Sequence, residues 1–251
     1  MTSRFMAPGW IRSATGCAMD GSEGGRVSDW DKYSHYTPSN PLVRWLFLDL
    51  MYRGYRDLLE RADFSGPLSV LELGAGTGYT TYRLSQALPI RKITLVDSNG
   101  SMLRTARQTL DGVDCEMAFV EEDVLNLPLR ERFDLVHSAG LVEHFEPEER
   151  RRLLELHADR TRPGGYCIVY APTPTRSYRF WRRMAERMNV WFFKDEVPLP
   201  EEVLVREVRE AGLKVLGTNQ FWRGFLTEAG VIAQRPNSRG DHLSLDEEVA
   251  R

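Results

Sequence analysis

The chain has 251 residues, with 33 Lys+Arg against 36 Asp+Glu and a pI near 6.0. That length allows a sizeable core in one decorated domain, and the balanced charge argues against a mainly electrostatic nucleic-acid or membrane binder while leaving room for a local basic patch. Cys17, Cys115 and Cys167 are scattered with no C-x-x-C spacing, which excludes a zinc finger or disulfide framework and, with no membrane-length apolar run and no secretory apolar stretch at the N-terminus, sets the expectation of a soluble, cytoplasmic protein.

Residues 1–28 are rich in Gly, Ser, Thr and Ala without periodicity and are expected to be a disordered tail, with Met19 a second candidate start. An aromatic stretch follows, including Trp30, Tyr33 and Tyr36. Asn40-Pro41 then makes an N-cap and first-turn pair for a helix through Leu42, Trp45, Tyr52, Tyr55 and Leu58.

Leu68 to Leu73 is a short apolar run without helical spacing, the signature of a buried parallel strand. Gly74, Gly76 and Gly78 alternate with other residues before a helical segment through Tyr82, Leu84 and Leu88. Strand, glycine turn and helix together present backbone N–H groups to a ligand at a strand's carboxyl end. The spacing is not the G-x-G-x-x-G of dinucleotide folds, and no Lys-Ser/Thr ends the loop as in a phosphate-binding P-loop. Glu72, at the strand's end, repels a pyrophosphate and suits a cation. This stretch resembles motif I (E/D-x-G-x-G-x-G) of the class I S-adenosylmethionine-dependent methyltransferases. The resemblance implies that Glu72 serves the amino-acid moiety of the cofactor, directly or through water.

Lys92 to Asp97 reads as the second strand, and Asp97 lies at the distance at which an acid binds a ribose edge in related folds. In the resembled family this acid takes the ribose hydroxyls, with Ser98 beside it. Met102, in the next helix, stands where the family contacts adenine, and core packing accounts for it equally well. After a third strand, Cys115 to Val120, the run Asp123-Val124-Leu125-Asn126-Leu127-Pro128 resembles the family's D-x-x-x-L-P segment. By that resemblance Asp123 accepts from the adenine amino group and Val124 flanks the ring.

Phe133 to Ser138 is the fourth strand, in the family's F-D-x-V pattern. It is followed by Gly140, Glu143 and His144, and by a charged helix from Pro147 to about Arg160. Arg162-Pro163-Gly164-Gly165 turns into a fifth strand, Tyr166 to Ala171. Glu201 to Ala211 is a helix, and a sixth strand from Leu213 is joined through Asn219–Gly224 to a seventh, Phe225 to Ala233. Residues 237–251 read as a polar, disordered end.

The fold class expected is α/β. The resemblance implies a doubly wound, Rossmann-like, seven-stranded sheet with its last strand antiparallel. The domain spans 29–236, with an N-terminal helical cap over 29–64 and a helical insertion over 173–199 after strand five. In this family an aromatic N-terminal segment closes over cofactor and substrate, a role Tyr33 and Tyr36 suit because aromatic faces attract a sulfonium; pinning the segment to the domain explains them as well. The insertion interleaves Arg176, Arg179, Arg182, Arg183 and Arg187 with aromatics and methionines. It fits a lid whose arginines hold an anionic substrate, and it fits equally a packed amphipathic helix with a solvated basic face.

The reaction implied is in-line displacement at a sulfonium methyl group, for which the protein supplies alignment and a dry pocket. His144, aided by Glu143, is the candidate base through its near-neutral pKa, while a Glu-His pair before a helix also serves to support a loop. His137, inside a strand, reads as buried. No Asn/Asp-Pro-Pro-Tyr follows strand four, and no cluster has the spacing of a metal-dependent catechol site, so no metal is expected. The expectation is methyl transfer from S-adenosyl-L-methionine to O, N or C of a small molecule, with nucleic acid an unlikely partner. Methylation of RNA or protein and non-catalytic cofactor binding are the alternatives.

Overall fold

In the computed structural model, residues 50–189, 191, 193–223 and 226–237 are described. The tail expected over 1–28, the stretch with Tyr33 and Tyr36, the Asn40-Pro41 cap and the polar end after residue 237 lie outside the described residues.

The apolar runs become strands. These are β1 (Leu68–Leu73), β2 (Ile90–Asp97), β3 (Glu116–Glu121), β4 (Phe133–Ala139), β5 (Thr161–Pro172), β6 (Lys214–Arg223) and β7 (Leu226–Gln234). They form one sheet in the order β3-β2-β1-β4-β5-β7-β6. Neighbours among β1 to β5 pair parallel, and β7 pairs antiparallel with both β5 and β6. The antiparallel strand therefore lies inside the sheet, and β6 forms the edge.

The helices are α1 (Leu50–Leu59), α2 (Tyr79–Ser85), α3 (Gly100–Thr109), α4 (Pro147–Arg160), α5 (Arg176–Arg187) and α6 (Glu201–Glu210). Alternation along the central strands feeds a core on each face of the sheet, and Ile93 and Leu95 of β2 pack with Leu103 and Ala106 of α3 in a third cluster. Leu71, Leu73, Val136 and Val169 pack with Leu153, Leu154 and Leu204 of α4 and α6 on one face. Val70, Leu135 and Ile168 pack with Tyr55, Leu58 and Leu84 of α1 and α2 on the other. Because both faces are covered, β1 is buried at all six positions, which is why its sequence runs apolar instead of alternating.

Some polar residues of the strands are structural. The Asp134 carboxylate accepts from both the backbone N and the hydroxyl of Ser69 at 2.7 Å, tying β4 to β1. Arg150 forks onto Glu207 at 2.7 and 3.0 Å and donates to the Phe145 carbonyl, fixing α4, α6 and the loop after β4 together.

Two boundaries differ from the sequence reading. The Pro163-Gly164-Gly165 turn is absorbed into β5, because Gly164 N donates to Arg235 O and Arg235 N to Gly165 O, at 2.8 and 2.9 Å. Asn219 to Arg223, expected as a connection, is strand, since β7 pairs with it through Arg223. The Asn219 amide finds partners in the Gly54 carbonyl, Asp57 and the Tyr170 hydroxyl, so its polarity does not break the strand.

Candidate active site

The sheet's order reverses between β1 and β4, and the loops at the carboxyl ends there are where an open α/β sheet receives a ligand. The glycine loop leaves β1 with Gly74, Gly76 and Gly78 all at positive φ, 66°, 52° and 67°, a backbone only glycine adopts cheaply. A Cβ at Gly74 would strike Leu141 of the post-β4 loop at 2.7 Å, so that glycine lets the two loops touch. At Gly76 a Cβ would meet nothing within 4 Å. The loop is thus closed on one side and open at its tip, which is the shape of a cradle.

Asp97 ends β2 beside this loop. Its Oδ2 accepts from Gly76 N at 2.7 Å and its Oδ1 from Asn99 N at 2.8 Å. Burial raises its pKa against these two hydrogen bonds. Ser98 is exposed next to it. Met102 is buried in α3, the packed position that its second reading described. Asp123 is exposed after β3 and caps a short 3-10 turn through Leu125 N at 2.9 Å, while Val124 is buried in the core against β1 and β4.

Glu72 sits lower than the loop. It is buried, and the Thr81 hydroxyl donates to its Oε2 at 2.7 Å. With that hydrogen committed, Thr81 Oγ1 accepts from His137 Nε2, 3.0 Å away, and the single hydrogen of the Tyr55 hydroxyl is shared between His137 Nδ1 at 3.2 Å and the Ser138 carbonyl at 3.3 Å. A line of polar contacts therefore joins Tyr55, His137, Thr81 and Glu72. Burial pushes Glu72 up to about 8, with the Thr81 hydrogen bond opposing. It pushes His137 down to about 3, so that imidazole is neutral and structural.

On the other side of the switch point, Glu143 and His144 lie in a short 3-10 turn, Val142–His144. Glu143 is buried and His144 half-buried. His144 Nδ1 stands 3.1 Å from Asp195 Oδ1, its Nε2 is 3.9 Å from Glu143 Oε1, and its ring meets Phe193 edge-on at 6.1 Å. The insertion is pinned to this turn by Val197 N donating to the Glu143 carbonyl at 2.9 Å. Sequence reading missed Asp195 and its neighbour Glu196. The signal was the Lys194-Asp195-Glu196 run, but 51 residues separate Asp195 from His144 and only the fold joins them.

Glu196 is buried and accepts from the Tyr178 hydroxyl in a short hydrogen bond. Burial, with Glu228 adding repulsion, holds its pKa up at about 7. Glu143, His144 and Glu196 bring one ligand atom each within 4.8 Å of the others. Arg182 is the arginine of α5 that turns inward, donating to the Tyr178 hydroxyl and the Glu196 carbonyl at 3.0 and 2.9 Å and pairing with Glu186. Arg176, Arg179, Arg183 and Arg187 are exposed. The wall beside His144 is therefore carboxylate-rich, which the arginine-rich sequence did not suggest.

Residues 70–165 match a family described as a methyltransferase domain. The chain is 30% identical over 162 residues to 2-methyl-6-phytyl-1,4-hydroquinone methyltransferase, chloroplastic, of Arabidopsis thaliana, covering 63% of this chain and 44% of that protein. It is 33% identical over 126 residues to trans-aconitate 2-methyltransferase of Azoarcus sp. (strain BH72), covering 50% and 47% respectively. The chain thus spans about half the length of the curated relatives it matches. In fold it resembles the N-methyltransferase NodS of Bradyrhizobium japonicum, solved with S-adenosyl-l-homocysteine, at a TM-score of 0.60, 17% identity, and coverage of 82% of this chain and 96% of that one.

Proposed function

We propose that this chain, whose residues 70–165 match a methyltransferase domain, is a class I S-adenosylmethionine-dependent methyltransferase that transfers a methyl group from S-adenosyl-L-methionine to O, N or C of a small molecule. The observation that carries the reading is the pairing of the Gly76 cradle, open where a Cβ would sit, with Asp97 directly beneath it. Asp97 would bind the ribose hydroxyls, Ser98 lying at the same rim. Asp123 and Val124 would meet the adenine ring, with Met102 packing beneath. Glu72, lying below the loop, would reach the amino-acid moiety through the loop or a water. Tyr33 and Tyr36 remain candidates for closing the site from the N-terminal cap.

The sulfonium of the cofactor supplies an activated methyl group. This chain's residues then align the acceptor and exclude water. Asp195 accepts from His144 Nδ1–H, which makes Nε2 the nitrogen that would take a proton from the acceptor. Glu143, 3.9 Å from that Nε2, favours the imidazolium that results. The named relatives act on a prenylated hydroquinone and on trans-aconitate, which supports a small-molecule acceptor. Of the arginines of α5, Arg182 turns to this side and is already paired, so an anionic acceptor draws no support from that helix. The free thiols of Cys115 and Cys167 support a reducing, cytoplasmic location, and among the described residues no helix is long and apolar enough to cross a membrane.

The test is calorimetric titration with S-adenosylmethionine and S-adenosylhomocysteine, with NAD as control, followed by a screen of methyl acceptors. Micromolar binding of the sulfur nucleosides and none of NAD is expected. Failure of both to bind would overturn the reading.

A further inference from the structure

The outer surface of α5 has a composition that neither the fold nor the candidate site uses. Its inner face is set by Tyr178 and Arg182, one turn apart and turned toward Glu196. Phe180, Met184 and Met188 follow one another at four-residue intervals on the opposite side, so they form a continuous stripe. Phe180 is 57% and Met188 66% exposed, where apolar side chains of that size are usually covered. Trp181 lies edge-on against Phe180 at 5.2 Å and extends the stripe.

Beside this stripe runs a second one. Arg176, Arg179, Arg183 and Arg187 recur at three- and four-residue intervals, and all four are exposed. The one acid in the helix, Glu186, is engaged by Arg182 toward the inner side. An apolar strip bordered by arginines, on a helix held in place through its third face, matches the pattern of helices that lie in the plane of a lipid interface. The arginines would sit among phosphates while Phe180 and Met188 enter the acyl boundary. A phosphate backbone of RNA would satisfy the arginines but give the methionines nothing to bury against.

We propose that α5 docks this protein peripherally on an anionic lipid surface. Through Tyr178 and Glu196 the same helix stands against the His144 turn, so a docked chain holds the candidate site about one helix diameter, roughly 10 Å, from the lipid. Docking requires neither cofactor nor substrate and stands apart from the methyl-transfer reading.

The test is co-sedimentation of the full chain with vesicles of phosphatidylcholine, alone or with about one-third phosphatidylglycerol. Binding is expected only to the anionic vesicles, weakening as salt is added. Replacing Phe180→Ser and Met188→Ser together lowers the partition coefficient about tenfold, and Arg179→Gln or Arg183→Gln about fivefold each. All four positions are exposed, and unchanged thermal midpoints verify that the variants fold. Failure of the wild-type chain to bind anionic vesicles overturns the proposal, as does binding that survives both sets of substitutions. Two other results overturn it by giving the face another occupant. One is salt-sensitive RNA retention without vesicle binding, and the other is a dimer dispersed by Phe180→Ser without vesicle binding.

Discussion

The Asp97 carboxylate reaches under the glycine loop and accepts from the backbone N of Gly76 at 2.7 Å. This single bond joins the end of β2 to the tip of the loop that follows β1, so the two halves of the candidate cofactor site are assembled before any ligand arrives. Removing it takes away the loop's anchor and, on the proposed reading, the ribose contact as well. Asp97→Ala is expected to weaken S-adenosylhomocysteine binding by about tenfold or more, the loss of at least one charge-assisted hydrogen bond. Calorimetry decides it, and an unchanged affinity would remove Asp97 from the site.

His144 is held by Asp195 at 3.1 Å through Nδ1, which gives two variants of graded effect. His144→Ala is expected to reduce turnover about a hundredfold with cofactor affinity nearly unchanged. Asp195→Asn leaves the imidazole present but loses the carboxylate that orients it, so turnover should fall by less than in the alanine variant, with cofactor affinity again nearly unchanged. Wild-type turnover in the alanine variant would leave the turn a purely structural role.

Glu72 links stability to pH in a direction opposite to the usual carboxylate. Unfolded it titrates near 4.5, and folded it is held at about 8 by burial. Between those values the folded chain keeps a proton that the unfolded chain has lost. Its contribution is therefore full below about pH 4.5 and is lost as pH rises through about 8. Glu72→Gln should melt higher than the wild type at about pH 9 and bind S-adenosylmethionine more weakly. Thermal melts across pH would expose a misplacement of Glu72 if the variant melted lower at high pH.

The two buried histidines give the opposite slope. His137 is lowered to about 3 and His157, whose Nδ1–H donates to the Leu153 carbonyl, to about 4, both chiefly by burial. Their contribution is full above about 6.5 and is lost as pH falls toward about 4, because the unfolded imidazoles take up protons first. A wild-type melting temperature that declines across this window, and declines less steeply in His157→Gln, is the expected result. A flat profile would mean that these rings are not buried in the folded chain.

Gly230 tests the packing of β7. A Cβ there would lie 2.1 Å from Cε1 of Tyr170, a ring wedged between Tyr55 and Phe221 and tethered to Asn219. Gly230→Ala should cost about 1 to 3 kcal/mol by overpacking. Gly66→Ala, where a Cβ meets nothing within 4 Å, should cost only the backbone strain of its positive φ. Urea denaturation of the pair separates crowding from strain, and equal losses would contradict the packing.

What sequence could and could not reveal follows contact range. The strand–loop unit around Gly74 to Gly78 is local, and the strong apolar run beside it left little choice of structure. Asp97 could be placed because it ends the next strand. The chain from Tyr55 through His137 and Thr81 was not legible, since Tyr55 and His137 are 82 residues apart and each alone looks like an ordinary core residue. The arginines of α5 suggested a basic wall toward the substrate. Helical geometry instead sends four of them outward, and the carboxylates of Asp195 and Glu196 come inward from the loop behind.

The position of β7 between β5 and β6 also governs the order in which this molecule can be made. During synthesis β5 leaves the ribosome with its outer edge bare, and β6 follows with no strand of the sheet to join, since its partner is β7. Only when Gln234 has emerged can one strand close both gaps. Until then the nascent chain carries an open strand edge, a point of attack for self-association. A stall or truncation before residue 226 would therefore release a five-stranded species, with the rest of the barrier to aggregation resting on chaperones.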